Sequence, residues 1–165
     1  MNRPQVATTA EVPDTSRLLA TTRSSAAWQA LGHATACYEL ALAHVEAREQ
    51  FGAPLSAYQL VQERLARMLA DLTALQMMCL RIGRLADEER LTVPMASLAK
   101  MHCAGTARRV AATARELMGG QGILLEAGVA RHLADLEAVV TYEGTDLVNA
   151  LIGRASCRER VFRVV

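Results

Sequence analysis

A chain of 165 residues with a formal net charge of +1 is long enough for one domain with a full core, and too evenly charged for a dedicated nucleic-acid binder. Hydrophobic residues make up 52% of it but aromatics only 4%, so Leu, Ala, Val and Met must build the core, which favours packed helices over sheets. No stretch nears the roughly 20 uninterrupted apolar residues of a membrane span. Four cysteines, at 37, 79, 103 and 157, form no C-x-x-C pair, and no signal-peptide pattern is seen, so free thiols in the cytoplasm are expected.

Residues 1–15, "MNRPQVATTAEVPDT", have two prolines and little periodicity and read as a disordered lead-in. Thr15 or Ser16 then caps a first helix running to about Gln50. Its apolar residues, from Leu18 and Leu19 through Ala26, Ala27, Leu31, Ala34, Tyr38, Ala41, Leu42 and Val45, recur at three- and four-residue steps. Gly52 and Pro54 break it, and Ser56 is a plausible cap for the second helix, about 57–88. That helix has the clearest pattern in the chain, in Val61, Leu65, Met68, Leu72, Leu75, Cys79 and Ile82. A third runs from about Pro94 to Met118, with Pro94 tolerated in a first turn. "GGQGI" closes it, a shorter fourth helix covers about 127–139, and a fifth starts near Thr145. The expected fold is all-α, an up-and-down bundle of four to five helices. The tail "ASCRERVFRVV" (155–165) departs from this pattern.

Three short features could carry chemistry. In "AREQFGAPLSAYQ" (47–59), Arg48 at a helix C-terminus is favourable through the helix dipole alone, and Phe51 reads equally well as a core residue. In "ELMGGQGI", the Gly pair serves either as a C-cap or as bare backbone that lets a phosphate come close. It does not fit G-x-G-x-x-G after a strand. In "TYEGTD" (141–146), Glu143 stands where a mostly apolar run ends, Gly144 leaves its surroundings open, and Thr145 or Asp146 caps the fifth helix. Such a Glu is either a solvated turn residue or a partly buried base. The histidines, 33, 44, 102 and 132, are scattered, and none follows a Glu by three residues, so no metal site and no ferritin-like di-metal bundle is expected.

Taken together and in order, the three features resemble the C-terminal helical domain of the acyl-CoA dehydrogenases. "AREQFGAPLSAYQLVQERLARML" resembles the family's R-x-x-F-G-x-P-L-x-x-x-Q segment, "ARELMGGQGI" its G-G-x-G segment, and "YEGT" the block carrying its base. "RHLADLEAVVTYEGTDLVNALI" and "TTRSSAAWQALG" are most similar to the glutaryl-CoA dehydrogenase branch. The resemblance covers roughly residues 18–154 and implies a bundle domain over 16–154. It implies that Glu143 removes the α-proton of an acyl-CoA thioester while FAD takes the β-hydride. An α-proton of this kind is weakly acidic, so the carboxylate needs the strengthening that partial desolvation gives. Gly144 matches a substrate-contacting position and Arg23 an arginine near the active site. Arg48, Gln50, Phe51 and Gln59 match FAD-reaching positions, often toward a neighbouring subunit's cofactor. Gly119 and Gly120 match backbone near the same cofactor, and Thr145 and Asp146 positions beside its nucleotide half. A homotetramer, an electron-transfer flavoprotein-type acceptor and possible decarboxylation of glutaryl-CoA also come with the resemblance.

Complete members are more than twice this length, with an N-terminal helical and a middle β domain that are not among these 165 residues. The isolated chain is therefore expected to be inactive, since a site without most of its walls cannot preorganise a transition state. Glu116 is acidic where some relatives carry an amide. A non-catalytic assembly module derived from this family is the alternative reading. The tail resembles a translated sequencing adapter and is expected to be read-through; resequencing that returns "ASCRERVFRVV" from the genome would exclude this.

Overall fold

The structure is a computed structural model that describes residues 15–154; the expected lead-in up to residue 14, the tail at 155–165 and Cys157 lie outside the described residues. Small side chains decide how its longest helix packs. Helix α1, Thr15–Ala47, buries Ala26, Ala27, Ala30, Ala34, Cys37 and Ala41 at three- and four-residue steps. Helix α3, Val93–Leu117, makes the most extensive contact with it and buries Ala96, Ala99, Cys103, Ala104, Ala107, Ala111 and Ala114. Two faces of small residues let the backbones approach closely, and ridge-into-groove contact replaces bulk as the source of cohesion. Helix α2, Gln59–Asp87, supplies the larger wedges Leu65, Met68, Leu72, Leu75 and Ile82. Burying one such side chain contributes about 1.5–3 kcal/mol.

Helices α4, Val129–Thr141, and α5, Asp146–Gly153, complete the set. α3 touches all four of the others and forms the central pillar. The five helices confirm the all-α expectation, and no described helix is long and apolar enough to cross a membrane.

The boundaries moved for local reasons. α1 stops at Ala47 because a tight hairpin follows, with β1 (Glu49–Gln50) antiparallel to β2 (Ala53–Pro54). Its two turn residues, Phe51 and Gly52, both adopt positive φ (56° and 85°), as a type I′ turn requires. Phe51 is 92% exposed, which removes the core reading of that residue. Tyr58, not Ser56, occupies the N-cap of α2, while Ser56 lies in a 3-10 turn, Leu55–Ala57. Thr92 caps α3 by accepting from the Met95 amide at 3.5 Å, with Pro94 in the first turn. The α2 end closes in a Schellman pattern, Arg90 N to Leu85 O (2.8 Å) and Glu89 N to Ala86 O (3.0 Å).

The described cysteines, Cys37, Cys79 and Cys103, are free and buried, and the Cys79 and Cys103 sulfurs face each other at 4.0 Å. Burial pushes the Cys37 thiol up from 9.0 to about 12. Between those values the unfolded chain has already lost this proton and the folded one has not. Its contribution to stability is thus whole below pH 9 and drains away as pH rises toward 12. Cys37→Ala should flatten the fall of melting temperature with pH in that window; a slope equal to the wild type's would disprove the assignment.

Candidate functional site

Two separate places in the bundle gather the residues singled out from the sequence. The first is the turn between α4 and α5. α4 ends at Thr141, and Glu143 then takes φ +56° and Gly144 φ +91°. Two successive left-handed residues reverse the chain sharply. The glycine accepts this freely, but the glutamate is strained by roughly 1–3 kcal/mol. Even a methyl group at Gly144 would press on the Asn149 side chain, whose Nδ2 would lie 3.2 Å away.

The turn holds because three donors from three helices grip its carbonyls. Arg23 of α1, 6% exposed, donates through Nε to Glu143 O (3.2 Å) and through Nη1 to Ser97 Oγ (3.1 Å). Lys100 of α3, fully buried, donates through Nζ to Val140 O (2.8 Å) and Gly144 O (2.6 Å). Asn149 of α5 donates through Nδ2 to Gly144 O at 2.6 Å. With the backbone fixed, the half-buried Glu143 carboxylate accepts from Thr22 Oγ1 at 2.8 Å. Tyr142 beside it hydrogen-bonds Gln29.

Burial holds the Lys100 ammonium below the usual lysine range, while Asp146 and Glu143 pull it back up and Arg23 pushes it down. Burial, and then the Glu143 charge, raise the Tyr142 phenol. Thr145 occupies the N-cap of α5 without a side-chain capping bond, and Asp146 stands in its first turn, where a carboxylate suits the helix dipole. Asp146 Oδ1 and Asn149 Oδ1 are buried with no hydrogen-bond partner among the described residues. Acceptors are thus left open beside the strained turn.

The second place is a groove of about 580 Å³ at the other end of α1. Arg48, Gln50, Arg64, Glu116, Gly119 and Gly120 are among its lining residues. Gly119 takes φ +55°, ending α3, and Gly122 packs so tightly that an added Cβ would meet Arg115 O at 2.3 Å. Glu116 is paired with Arg64 at 2.8 Å, so among the described residues the groove keeps Arg48 as a cation without an opposing carboxylate of its own. Guanidinium groups beside bare glycine backbone suit a phosphate. Gln59, exposed at the first position of α2, and Phe51, in the hairpin turn, stand outside this lining.

The structure therefore joins Arg23 with Glu143 and Gly144, and Arg48 and Gln50 with Gly119 and Gly120, but not one group with the other. Arg23 and Arg48 bracket most of α1, which at about 1.5 Å per residue separates them by roughly 37 Å. Thr22, Lys100 and Asn149 escaped sequence reasoning. For Lys100 a signal existed: the chain's one lysine falls on the same helical face as Ala96, Ala99, Cys103 and Ala107.

An all-α bundle with a strained, fixed carboxylate at one end and an arginine-and-glycine groove at the other has the make-up of an enzyme domain. The family model described as "Acyl-CoA dehydrogenase, C-terminal domain" matches residues 13–156, and the chain belongs to that family. A short-chain specific acyl-CoA dehydrogenase, mitochondrial, of Bos taurus is 33% identical over 134 residues, 81% of this chain and 32% of the relative. The crystal structure of glutaryl-CoA dehydrogenase from Mycobacterium smegmatis superposes with a TM-score of 0.83 at 37% identity, covering 87% of this chain and 37% of that one. A glutaryl-CoA dehydrogenase from the same organism in complex with FADH2 gives 0.82 at 36% identity, covering 86% and 36%. The chain spans about a third of the length of the curated relatives it matches.

Proposed function

We propose that residues 16–154 are the helical domain of an FAD-dependent acyl-CoA dehydrogenase, with Glu143 as the base that takes the α-proton of an acyl-CoA thioester. The observation that supports this most is the over-determined turn. A glutamate held at positive φ by Arg23, Lys100 and Asn149 is a costly arrangement, and such cost is usually maintained for a fixed side-chain position. Arg23 acts as a positioning residue in this reading, since its guanidinium is already engaged by Glu143 O and Ser97 Oγ. Gly144, next to the carboxylate, is assigned to substrate contact, and its lack of a side chain lets Asn149 and Val148 pack against the turn.

FAD, when bound, supplies a hydride acceptor for the β-carbon. Arg48, Gln50, Gly119 and Gly120 fit its phosphates and polar edge, while the open acceptors around Asp146 and Asn149, with Thr145, fit the same cofactor from the catalytic end. With Arg23 and Arg48 roughly 37 Å apart along α1, the two places are read as serving the FAD of different copies of this chain, which favours a homo-oligomer, a tetramer by family likeness. Exposed Phe51, Leu60, Ile123, Leu125, Leu147 and Leu151 offer apolar surface for those contacts. Similarity to the glutaryl-CoA dehydrogenases favours glutaryl-CoA as substrate, with decarboxylation, and an electron-transfer flavoprotein-type acceptor. A reducing compartment suits the free buried thiols.

The test is a chimera in which residues 16–154 replace the matching domain of the M. smegmatis enzyme. It should bind flavin and show flavin reduction on adding acyl-CoA, whereas the 165-residue chain alone should show none. A chimera that folds, assembles and binds flavin but is inert to acyl-CoA would favour the assembly-module reading instead.

A further inference from the structure

Far apart in sequence, His33 and His132 meet across the α1–α4 interface. His33 comes from α1, and His132 and Asp135 come from α4 at a spacing of three residues, so the two α4 side chains share one helical face. The two imidazoles place Nδ1 against Nδ1 at 2.9 Å, edge to face, with ring centroids 5.2 Å apart and planes at 69°. One ligating atom from each of His33, His132 and Asp135 lies within 4.8 Å of the other two. The histidines are half-buried and Asp135 is exposed, which leaves a path from solvent.

We propose that His33, His132 and Asp135 form a binding site for a divalent transition-metal ion of the Zn2+ type, a site independent of the Glu143 turn. Two nitrogens at about 2.0–2.1 Å from a tetrahedral Zn2+ lie roughly 3.3 Å apart, so the imidazoles need to part by only about 0.4 Å. Asp135, being exposed, can swing in to complete the set. Two imidazoles and one carboxylate select borderline transition ions over Mg2+ and Ca2+, which prefer oxygen donors throughout. Each Nδ1 must present its lone pair to the ion, so the proton between the two nitrogens leaves Nδ1 on binding. Arg131 precedes His132 but is exposed, so solvent screens its repulsion of a cation. Three protein ligands leave a fourth position to water. An ion held there ties α1 to α4, the helix that leads into the Glu143 turn.

The experiment uses the purified 165-residue chain, stripped with a chelator and titrated with Zn2+ alone by calorimetry, with thermal melts in parallel. One Zn2+ per chain is expected, with a melting temperature that rises with Zn2+ concentration, because the ion binds the folded state. His33→Ala and Asp135→Asn should each weaken binding at least roughly tenfold, while His102→Ala, an exposed histidine outside the trio, should not. Should His33→Ala lose its helical signal, the exposed Asp135→Asn decides alone. A folded wild-type chain that ignores Zn2+, or an affinity that Asp135→Asn leaves unchanged, overturns the site.

Discussion

Glu143→Gln in the chimera should lower kcat by about 10²- to 10⁴-fold, the usual contribution of a positioned general base. The change keeps side-chain length, and Thr22 Oγ1 can still donate to the amide oxygen, so the strained turn should survive. The capacity to accept the α-proton disappears. Two further readouts separate this from damage to the fold. Flavin binding should match the parent chimera, and exchange of the α-proton in deuterated solvent should fall together with kcat. Exchange that continues at the parental rate rules out Glu143 as the base. Thr22→Val removes the 2.8 Å hydrogen bond to the carboxylate and a longer one to Leu19 O (3.4 Å), and should cost much less, since the turn's backbone donors remain.

Lys100→Met should destabilise the domain by about 2–3 kcal/mol, lowering its melting temperature by roughly 4–12 °C for a domain of this size. Methionine is likewise unbranched and only one heavy atom shorter, so no large cavity enters the comparison. The loss lies in the hydrogen bonds. Val140 O is deprived of the ammonium 2.8 Å away, and Gly144 O retains only Asn149 Nδ2. Part of that loss is offset, because burying the charged amine is itself costly, as its depressed pKa shows. Asp146 and Glu143 also lose a compensating cation. In the chimera the same substitution should reduce kcat, because the carboxylate would no longer be presented from a single backbone conformation. A double-mutant cycle of Lys100→Met with Glu143→Gln measures that coupling directly. An unchanged melting temperature with unchanged kcat would show that the turn does not depend on the lysine.

Much of the helical framework was legible from periodicity. Val61, Leu65, Met68, Leu72, Leu75, Cys79 and Ile82 were placed on one face of α2, and all are buried except the half-buried Val61. The pattern was weaker on α1, where Leu18 and Leu19 fit the spacing yet are 57% and 40% exposed. Spacing gives a direction around the helix, not the presence of a neighbour at that end. The 47–59 break was readable from Gly52 and Pro54, but not the hairpin, since Phe51 at positive φ runs against its own preference. Where Glu143 stands in "TYEGTD" permitted a base, and the flanking motifs strengthened the reading.

The class of fold, the family and the candidate residues were readable from the amino-acid order, because they depend on local spacing and on short contiguous motifs. How Glu143 is held was not, since Arg23, Lys100 and Asn149 arrive from three different helices. Packing also separated the Glu143 turn from the Arg48–Gly119 groove along the length of α1, and brought His33 beside His132. The reason is common to all three. Each depends on which faces of distant helices pack together, and that is set by the close fit of the alanine stripes on α1 and α3, not by any residue's neighbours in the chain.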